Sequence, residues 1–289
     1  MGPKISIQQR KRHFRKKLNE FVNKLCTQIT GEDNQWTIKG FIDVYKNVYT
    51  ISVDTKIISK ILEIHLFPKI LDFANQNGFN IVLPEHQNYY PDLSFIDRNN
   101  EDIKFAVDLK TTYRNPENPE FCNGFTLGSH GRYFIDRTST KNIQYPYSTY
   151  AGHFILGIIY SRAQQKDDGE FKIFSVNELK SITSVIRDFQ FFVAEKWEIA
   201  SDRLGSHNTA NIGSIQKISD IIAGNGVFKT LGERWFDDYW INYGKINIIT
   251  DKGKRKSISR IEEFLEYRGK DQKLANPFVK PTKRRDNEK

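Results

Sequence analysis

The chain has 289 residues, 44 Lys and Arg against 35 Asp and Glu, and a net charge of +9. Its 38% hydrophobic and 13% aromatic content exceeds what a disordered chain carries and suffices for a large core without disulfides. No apolar run reaches the roughly 18 residues of a membrane span, and Met1 to Ile7 carries no apolar signal core. Cys26 and Cys122 are the two cysteines, without CxxC or Cys/His spacing, which excludes a zinc scaffold and points to a reducing cytoplasm. No GxxxxGK[ST] phosphate loop is present. The basic balance fits a polyanionic partner, most simply nucleic acid.

Residues 6–30 read as a helix, with Phe14, Leu18, Phe21 and Leu25 at helical spacing and Arg10, Lys11, Arg12, Arg15, Lys16 and Lys17 around them. Two readings stand: a helix that lies along a polyanion, or a packed helix with a solvated basic face. Residues 36–53 alternate as a short hairpin. Asp54 is placed to cap a helix through Phe67 that Pro68 interrupts, with its continuation ended at Gly78. Leu93–Ile96 and Ile103–Lys110, joined by the Asp97–Asn100 turn, read as an antiparallel hairpin. Residues 114–132 are rich in Pro, Gly and Asn and read as a loop. Ala151–Tyr160 fits a buried helix or a buried strand. Residues 188–200 read as a strand region, 205–214 as a Gly/Ser/Asn-rich loop, and the basic tail after Arg268 as extended or disordered.

The chemistry concentrates in the hairpin. Fifteen residues separate Asp92 from Asp108. Alternate strand residues share a face, so Asp108, Lys110 and Ala106 point one way, and Ile103, Phe105, Val107 and Leu109 point into a core. The hairpin can bring Asp92 beside Asp108. Two adjacent carboxylates repel, and a hard divalent cation relieves the repulsion. Lys110 on the same face can stabilise developing negative charge. The same residues also suit a surface hairpin with an Asp–Lys ion pair. His13, His65, His86, His130 and His153 lack ligand spacing and are expected to be packed or surface residues.

Pro91-Asp92 with Asp108-Leu109-Lys110 resembles the PD-(D/E)xK nuclease pattern. The resemblance extends to the EcoRV-like type II restriction endonucleases through Asn88-Tyr-Tyr-Pro-Asp92, Val107-Asp-Leu-Lys-Thr-Thr-Tyr113, Thr126-Leu-Gly128, Thr140-Lys-Asn142, Gly205-Ser-His-Asn-Thr-Ala-Asn-Ile-Gly-Ser214 and Asp238-Tyr-Trp240. It covers roughly residues 50 to 270.

The resemblance implies an α/β (α+β) fold: a mixed sheet of five or more strands flanked by helices, in a single domain over 36–270 with dimerisation and DNA-binding/catalytic parts. A basic helical extension (1–35) and a basic flexible tail (271–289) fall outside it. It implies a homodimer that cleaves double-stranded DNA with Mg²⁺. Asp92, Asp108, Glu63 and the Leu109 carbonyl would be metal ligands, and Asp92, Asp108, Lys110 and Glu63 the catalytic set. Gly205, Ser206, His207, Asn208, Thr209 and Asn211 would form the major-groove recognition loop, where Asn can pair with adenine. Gln87 and Asn88 would face the minor groove, Thr111, Thr112 and Lys141 the phosphates, and Lys56 would also bind DNA. A dimer favours a palindrome, here GATATC or a close relative cut to blunt ends. His207 stands where the family has glycine, which separates the question of bases read from that of cleavage. A cognate DNA methyltransferase is expected as a genetic partner. Competing readings are a same-fold nuclease of other or no specificity, a non-catalytic DNA-binding protein, and an RNA-binding module.

Overall fold

A computed structural model describes residues 6–163, 173–205, 210–249 and 253–281. Helix α1 (Ile7–Ile29) begins with a capping box, in which the Ser6 side chain accepts from Gln9 N–H and the Gln9 side chain accepts from Ser6 N–H. A hairpin of β1 (Gly40–Ile42) and β2 (Asn47–Thr50) follows. Helix α2 (Thr55–Gln76) is capped by Asp54, whose carboxylate accepts from Lys56 N–H and Ile57 N–H. The expected break at Pro68 does not occur: α2 is continuous through it, and the exposed proline sits in the helix interior. Packing of Leu62, Leu66, Ile70 and Phe73 on the sheet outweighs the one backbone bond that Pro68 cannot make.

The central sheet has five strands in the order β3 (Phe79–Val82), β4 (Leu93–Asp97), β5 (Asn100–Tyr113), β7 (Tyr150–Arg162), β9 (Ile186–Glu195). It is mixed: β5 and β7 run parallel, and the other neighbours are antiparallel. The β4–β5 pair is the hairpin expected from the sequence. Ala151–Tyr160 lies in β7, in the middle of the sheet. A strand buried on both faces is apolar throughout, which is why periodicity left it open.

Helices cover both faces. Ile103, Phe105, Val107 and Leu109 enter one core with α1 and α2, as their parity predicts, and Ala106 enters the other. Phe14 is central to the first core, stacked on Phe105 at 4.2 Å and edge-on to Phe79 and Phe95. The basic residues of α1 divide between water and the protein. Arg15 makes two hydrogen bonds to Glu198 (2.8 and 2.7 Å), Lys11 pairs with Glu195 and Glu233, and Arg10 reaches Asp97 at 3.0 Å. The apolar face of the helix packs as the second reading expects, and four of its cations, Arg10, Lys11, Arg15 and Lys17, make ion pairs.

The 114–132 segment is not all loop, because β6 (Thr126–Ser129) pairs with a later strand. A short turn, α3 (Arg132–Ile135), follows, and β8 (Ile173–Ser175) joins β1 and β2 as a second sheet. The 188–200 region ends its strand at Glu195, turns through α4 (Lys196–Ile199), and enters β10 (Ala200–Leu204). The 205–214 loop narrows too, since β11 (Asn211–Ser214) pairs with both β10 and β6. Helices α5 (Ile218–Ile222), α6 (Glu233–Asn242) and α7 (Ile261–Tyr267) cover the second face, with a small hairpin between the last two. The described part of the tail makes two contacts: Asn276 N–H donates to the Val227 carbonyl, and the Arg203 guanidinium lies 4.2 Å from the Phe278 ring. Residues 282–289 lie outside the described residues.

Candidate active site

The β4–β5 hairpin places Asp92 just before one strand and Asp108 within the next. Register pairs Leu93 with Val107, so Asp92 stands beside Asp108. The backbone locks the two together. Asp92 N–H donates to Asp108 Oδ1 (3.1 Å), and Leu109 N–H donates to Asp92 Oδ2 (2.9 Å). The Tyr90–Pro91 bond ahead of Asp92 is cis. Lys110 Nζ bridges the carboxylates, 3.2 Å from Asp92 Oδ2 and 3.1 Å from Asp108 Oδ2. Asp108 is 2% exposed.

This crowding shows in the acid–base properties. Burial pushes Asp92 up to about 6, with the Asp108 and Glu63 charges adding to the rise and Lys110 opposing it. Burial alone would lower Lys110, but Asp108 and Asp92 outweigh it and hold the ammonium above its ordinary value. The oxygens of two carboxylates share one cation, so the site is a hard, anionic oxygen pair already neutralised once.

These residues floor a cleft of about 350 Å³. Gln87, Asn88, Lys141 and Asn211 line the same cleft, so four sequence candidates from three segments meet around Asp92, Asp108 and Lys110. Lys141 reaches the cleft through the segment that follows α3. Asn211 reaches it through β11, which pairs Asn211 with Ser129 of β6. That pairing couples the hairpin base to the cleft wall.

Other candidates stand apart. Thr111 turns to the opposite face of β5 from Lys110, and Thr112 is buried at 4% exposure; neither lines the cleft. Lys56 is exposed at the start of α2. Glu63 is half-buried on α2 and bound by Lys60 at 2.7 Å; among the described residues it joins no cluster of three or more potential metal-ligating side chains. Gly205 N–H donates to the Asn211 carbonyl at 2.8 Å, joining the ends of β10 and β11. Close approach explains its partner Gly213, where a Cβ would meet the Arg203 carbonyl oxygen at 2.8 Å. Ser206, His207, Asn208 and Thr209 lie outside the described residues.

The sequence reading missed Gly128, Ser129, Arg132 and Tyr133, which line the cleft, and Lys196, buried behind it. No local pattern marks them, although Gly128 falls in the Thr126-Leu-Gly128 run. The histidines behave as expected of packed groups. The His153 ring is buried, hydrogen-bonded through Nδ1 to the Tyr90 hydroxyl at 2.8 Å and stacked on Tyr147. His65 Nδ1 accepts from Trp36 Nε1 at 3.1 Å.

A mixed sheet whose central hairpin presents Pro-Asp and Asp-x-Lys at a cleft has the arrangement of the PD-(D/E)xK nucleases. The family model for restriction endonuclease EcoRV matches residues 32–269. Over 247 residues the chain is 34% identical to the type II restriction enzyme EcoRV of Escherichia coli, covering 85% of this chain and 97% of that protein. The chain belongs to the EcoRV restriction endonuclease family and is an EcoRV-like type II endonuclease. All of α1 and the tail after residue 269 lie outside the family match. Among the described residues, no helix is long and apolar enough to cross a membrane.

Proposed function

We propose that this enzyme hydrolyses double-stranded DNA at a short palindrome, GATATC or a close relative, leaving blunt ends, with Mg²⁺ as cofactor. The observation that carries the reading is the Lys110 ammonium bridging Asp92 and Asp108, 3.2 and 3.1 Å away, at the floor of an open cleft. The donor chemistry fits Mg²⁺, which takes one or two carboxylates and completes its shell with water and substrate phosphate. Asp92 and Asp108 would hold the ion with the Leu109 carbonyl, and Glu63 would support it from α2. When bound, the ion supplies activation of the attacking water and neutralisation of phosphate charge.

The chain's own residues do the rest. Asp108, fixed by Asp92 N–H, and Asp92, fixed by Leu109 N–H, hold their oxygens in a set orientation before substrate arrives. Lys110 can turn from the carboxylates to the scissile phosphate and stabilise the charge that grows on its oxygens. Gln87 and Asn88 would face the minor groove, and Lys141, Lys56 and Thr111 the phosphate backbone. Thr112 would act through its packing, given its 4% exposure. The 205–211 loop, Gly205 through Asn211 with Ser206, His207, Asn208 and Thr209, would read the major groove.

Two copies would act together. Phe41, Ile42, Val44 and Tyr45 of the first hairpin are 55%, 62%, 89% and 83% exposed, and Ile173 on the neighbouring strand is 61% exposed. Such an apolar patch favours a self-complementary contact, and a two-fold dimer presents two recognition loops to a palindrome. A methyltransferase that protects the same sequence is the expected genetic partner, and the cytoplasm the expected compartment.

The test is digestion of DNA of known sequence with Mg²⁺, beside Asp108→Ala and a metal-free control, with the fragment ends sequenced. Blunt ends at GATATC, absent from both controls, are expected. Discrete ends at another palindrome would keep the mechanism and assign the change to His207 and its loop. Absence of cleavage by folded protein at every metal and DNA concentration would overturn the catalytic reading.

A further inference from the structure

Lys196 is 1% exposed, and its Nζ has no hydrogen-bond partner among the described residues. The ammonium lies instead over aromatic faces, 4.9 Å from the Tyr90 ring, 5.5 Å from Phe134 and 5.8 Å from Tyr147. Three π-faces replace part of the hydration that burial removes. An uncompensated buried cation is costly, so its placement calls for a reason.

The reason lies in what the ammonium faces. Gly128, with φ +89°, lines the cleft, and a Cβ on it would sit 3.2 Å from Lys196 Nζ. The charge is therefore just behind the cleft wall, covered by a glycine with no side chain to screen it. Asp108 is the anion that acts on it most strongly.

We propose that Lys196 is a positioning residue: a concealed counter-charge to the Asp92–Asp108 pair that sets how tightly the free enzyme binds a divalent cation. This inference rests on the metal-dependent reading above. A fixed positive charge behind two carboxylates helps hold them ionised and oriented, and it repels a second cation brought to them. Neutralising Lys196 thus tightens divalent binding, on the order of tenfold for one charge across a partly buried site.

The protein supplies its own switch for the test. Burial lowers Lys196 to about 8, with Asp108 opposing the shift and Lys110 and Arg137 adding to it. The other groups around the cage hold their charge between pH 7.5 and 9.5. Lys110 stays protonated, Tyr90, Tyr133 and Tyr147 stay neutral, and His153 is pushed well below its ordinary range. Arg137 remains paired with Asp237.

The experiment is calorimetric titration of the full-length enzyme with Ca²⁺ alone, without DNA, from pH 7.5 to 9.5, for the wild type and Lys196→Met. The wild type is expected to gain about tenfold in affinity through pH 8. Lys196→Met is expected to start at the tight value and stay flat. A wild-type affinity independent of pH overturns the inference, whether or not the variant folds. So does a folded Lys196→Met that binds Ca²⁺ no more tightly than wild type at pH 7.5. A purely structural lysine would lower thermal stability and leave the pH profile of affinity in place. If the wild type cleaves DNA with Mg²⁺ but shows a flat Ca²⁺ profile, the inference alone fails. If it neither binds Ca²⁺ nor cleaves, the metal-dependent reading fails, and the inference with it.

Discussion

The two faces of the central sheet are built from rings of different kinds. On the α1–α2 side the rings at the centre are phenylalanines: Phe14 stacks on Phe105, Phe79 and Phe95 close edge-on, and Phe73 and Phe154 complete the cluster. The cleft side has phenylalanines too, among them Phe134 and Phe236, but the rings beside the carboxylates carry polar handles. Tyr90 stacks on Tyr133, Tyr147 stacks on His153, and the Tyr150 hydroxyl meets Ser94 at 2.8 Å. Cations enter this second layer. The Arg137 guanidinium lies 4.4 Å from the Tyr147 ring, and Lys196 sits among the same rings. The hydrocarbon face gains most from area removed from water. The polar face gains less per ring, and it brings Tyr90, Tyr133 and Lys196 within reach of the Asp108 charge. β5 serves both, alternating between stability and chemistry along one strand.

The largest expected effect that would break this division is at the chemistry. Asp108→Ala should cut cleavage by several kcal/mol of transition-state stabilisation, about 10³-fold or more, with a cooperative unfolding transition retained. Digestion and thermal melting measured together check this. Loss of folding with loss of activity would mean that Asp108 is structural.

Phe14→Ala is the converse. It empties the centre of the hydrocarbon face and should cost about 3–5 kcal/mol in denaturant unfolding. Activity per folded molecule should be unchanged. A catalytic defect in the folded fraction would show that the two faces are coupled.

A smaller effect separates the cations of α1. Arg15 makes two hydrogen bonds to Glu198, itself 5% exposed, whereas Arg12 is exposed. Arg15→Gln should cost about 1.5–3 kcal/mol and Arg12→Gln within about 0.5 kcal/mol. Equal costs would return α1 to a merely solvated basic face.

The last is acid sensitivity. Burial holds His153 well below the ordinary 6.5, and Lys196 and Arg137 add to the depression. A depressed folded-state value means that the unfolded chain binds the proton first. The stability is therefore present above pH 6.5 and is lost as pH falls below it, by up to about 1.4 kcal/mol per unit. His153→Gln should flatten unfolding free energy against pH below 6.5. An unchanged slope would move the effect to His65 or His130, which burial also lowers.

Much of the site could be read because β-strand parity is local. Asp108 and Lys110 share a face whatever surrounds them, and the Asp97–Asn100 turn places Asp92 opposite. The Asp54 cap and the apolar spacing of α1 are likewise short-range. The misreadings fell where distant partners decide. Pro68 sits in an unbroken α2 because the sheet holds both halves of the helix. Thr126–Ser129 is a strand because β11, more than eighty residues later, supplies its hydrogen bonds. Thr112 shares the face of Lys110 by parity, yet it is buried, which local spacing does not reveal.

The sequence by itself determined the hairpin, the pairing of Asp92 with Asp108, the side of β5 on which Lys110 lies and, by its motifs, the family. Each follows from covalent spacing and a two-residue period, which no tertiary contact can alter. Only the tertiary structure decided that Ala151–Tyr160 is an interior strand parallel to β5, that Lys141 and Asn211 reach the same cleft as Asp92, and that the Lys196 ammonium lies just behind Gly128 in the cleft wall. Those facts depend on segments far apart in the chain sharing one low-dielectric interior. There a charge is felt through space, whatever its position in the sequence.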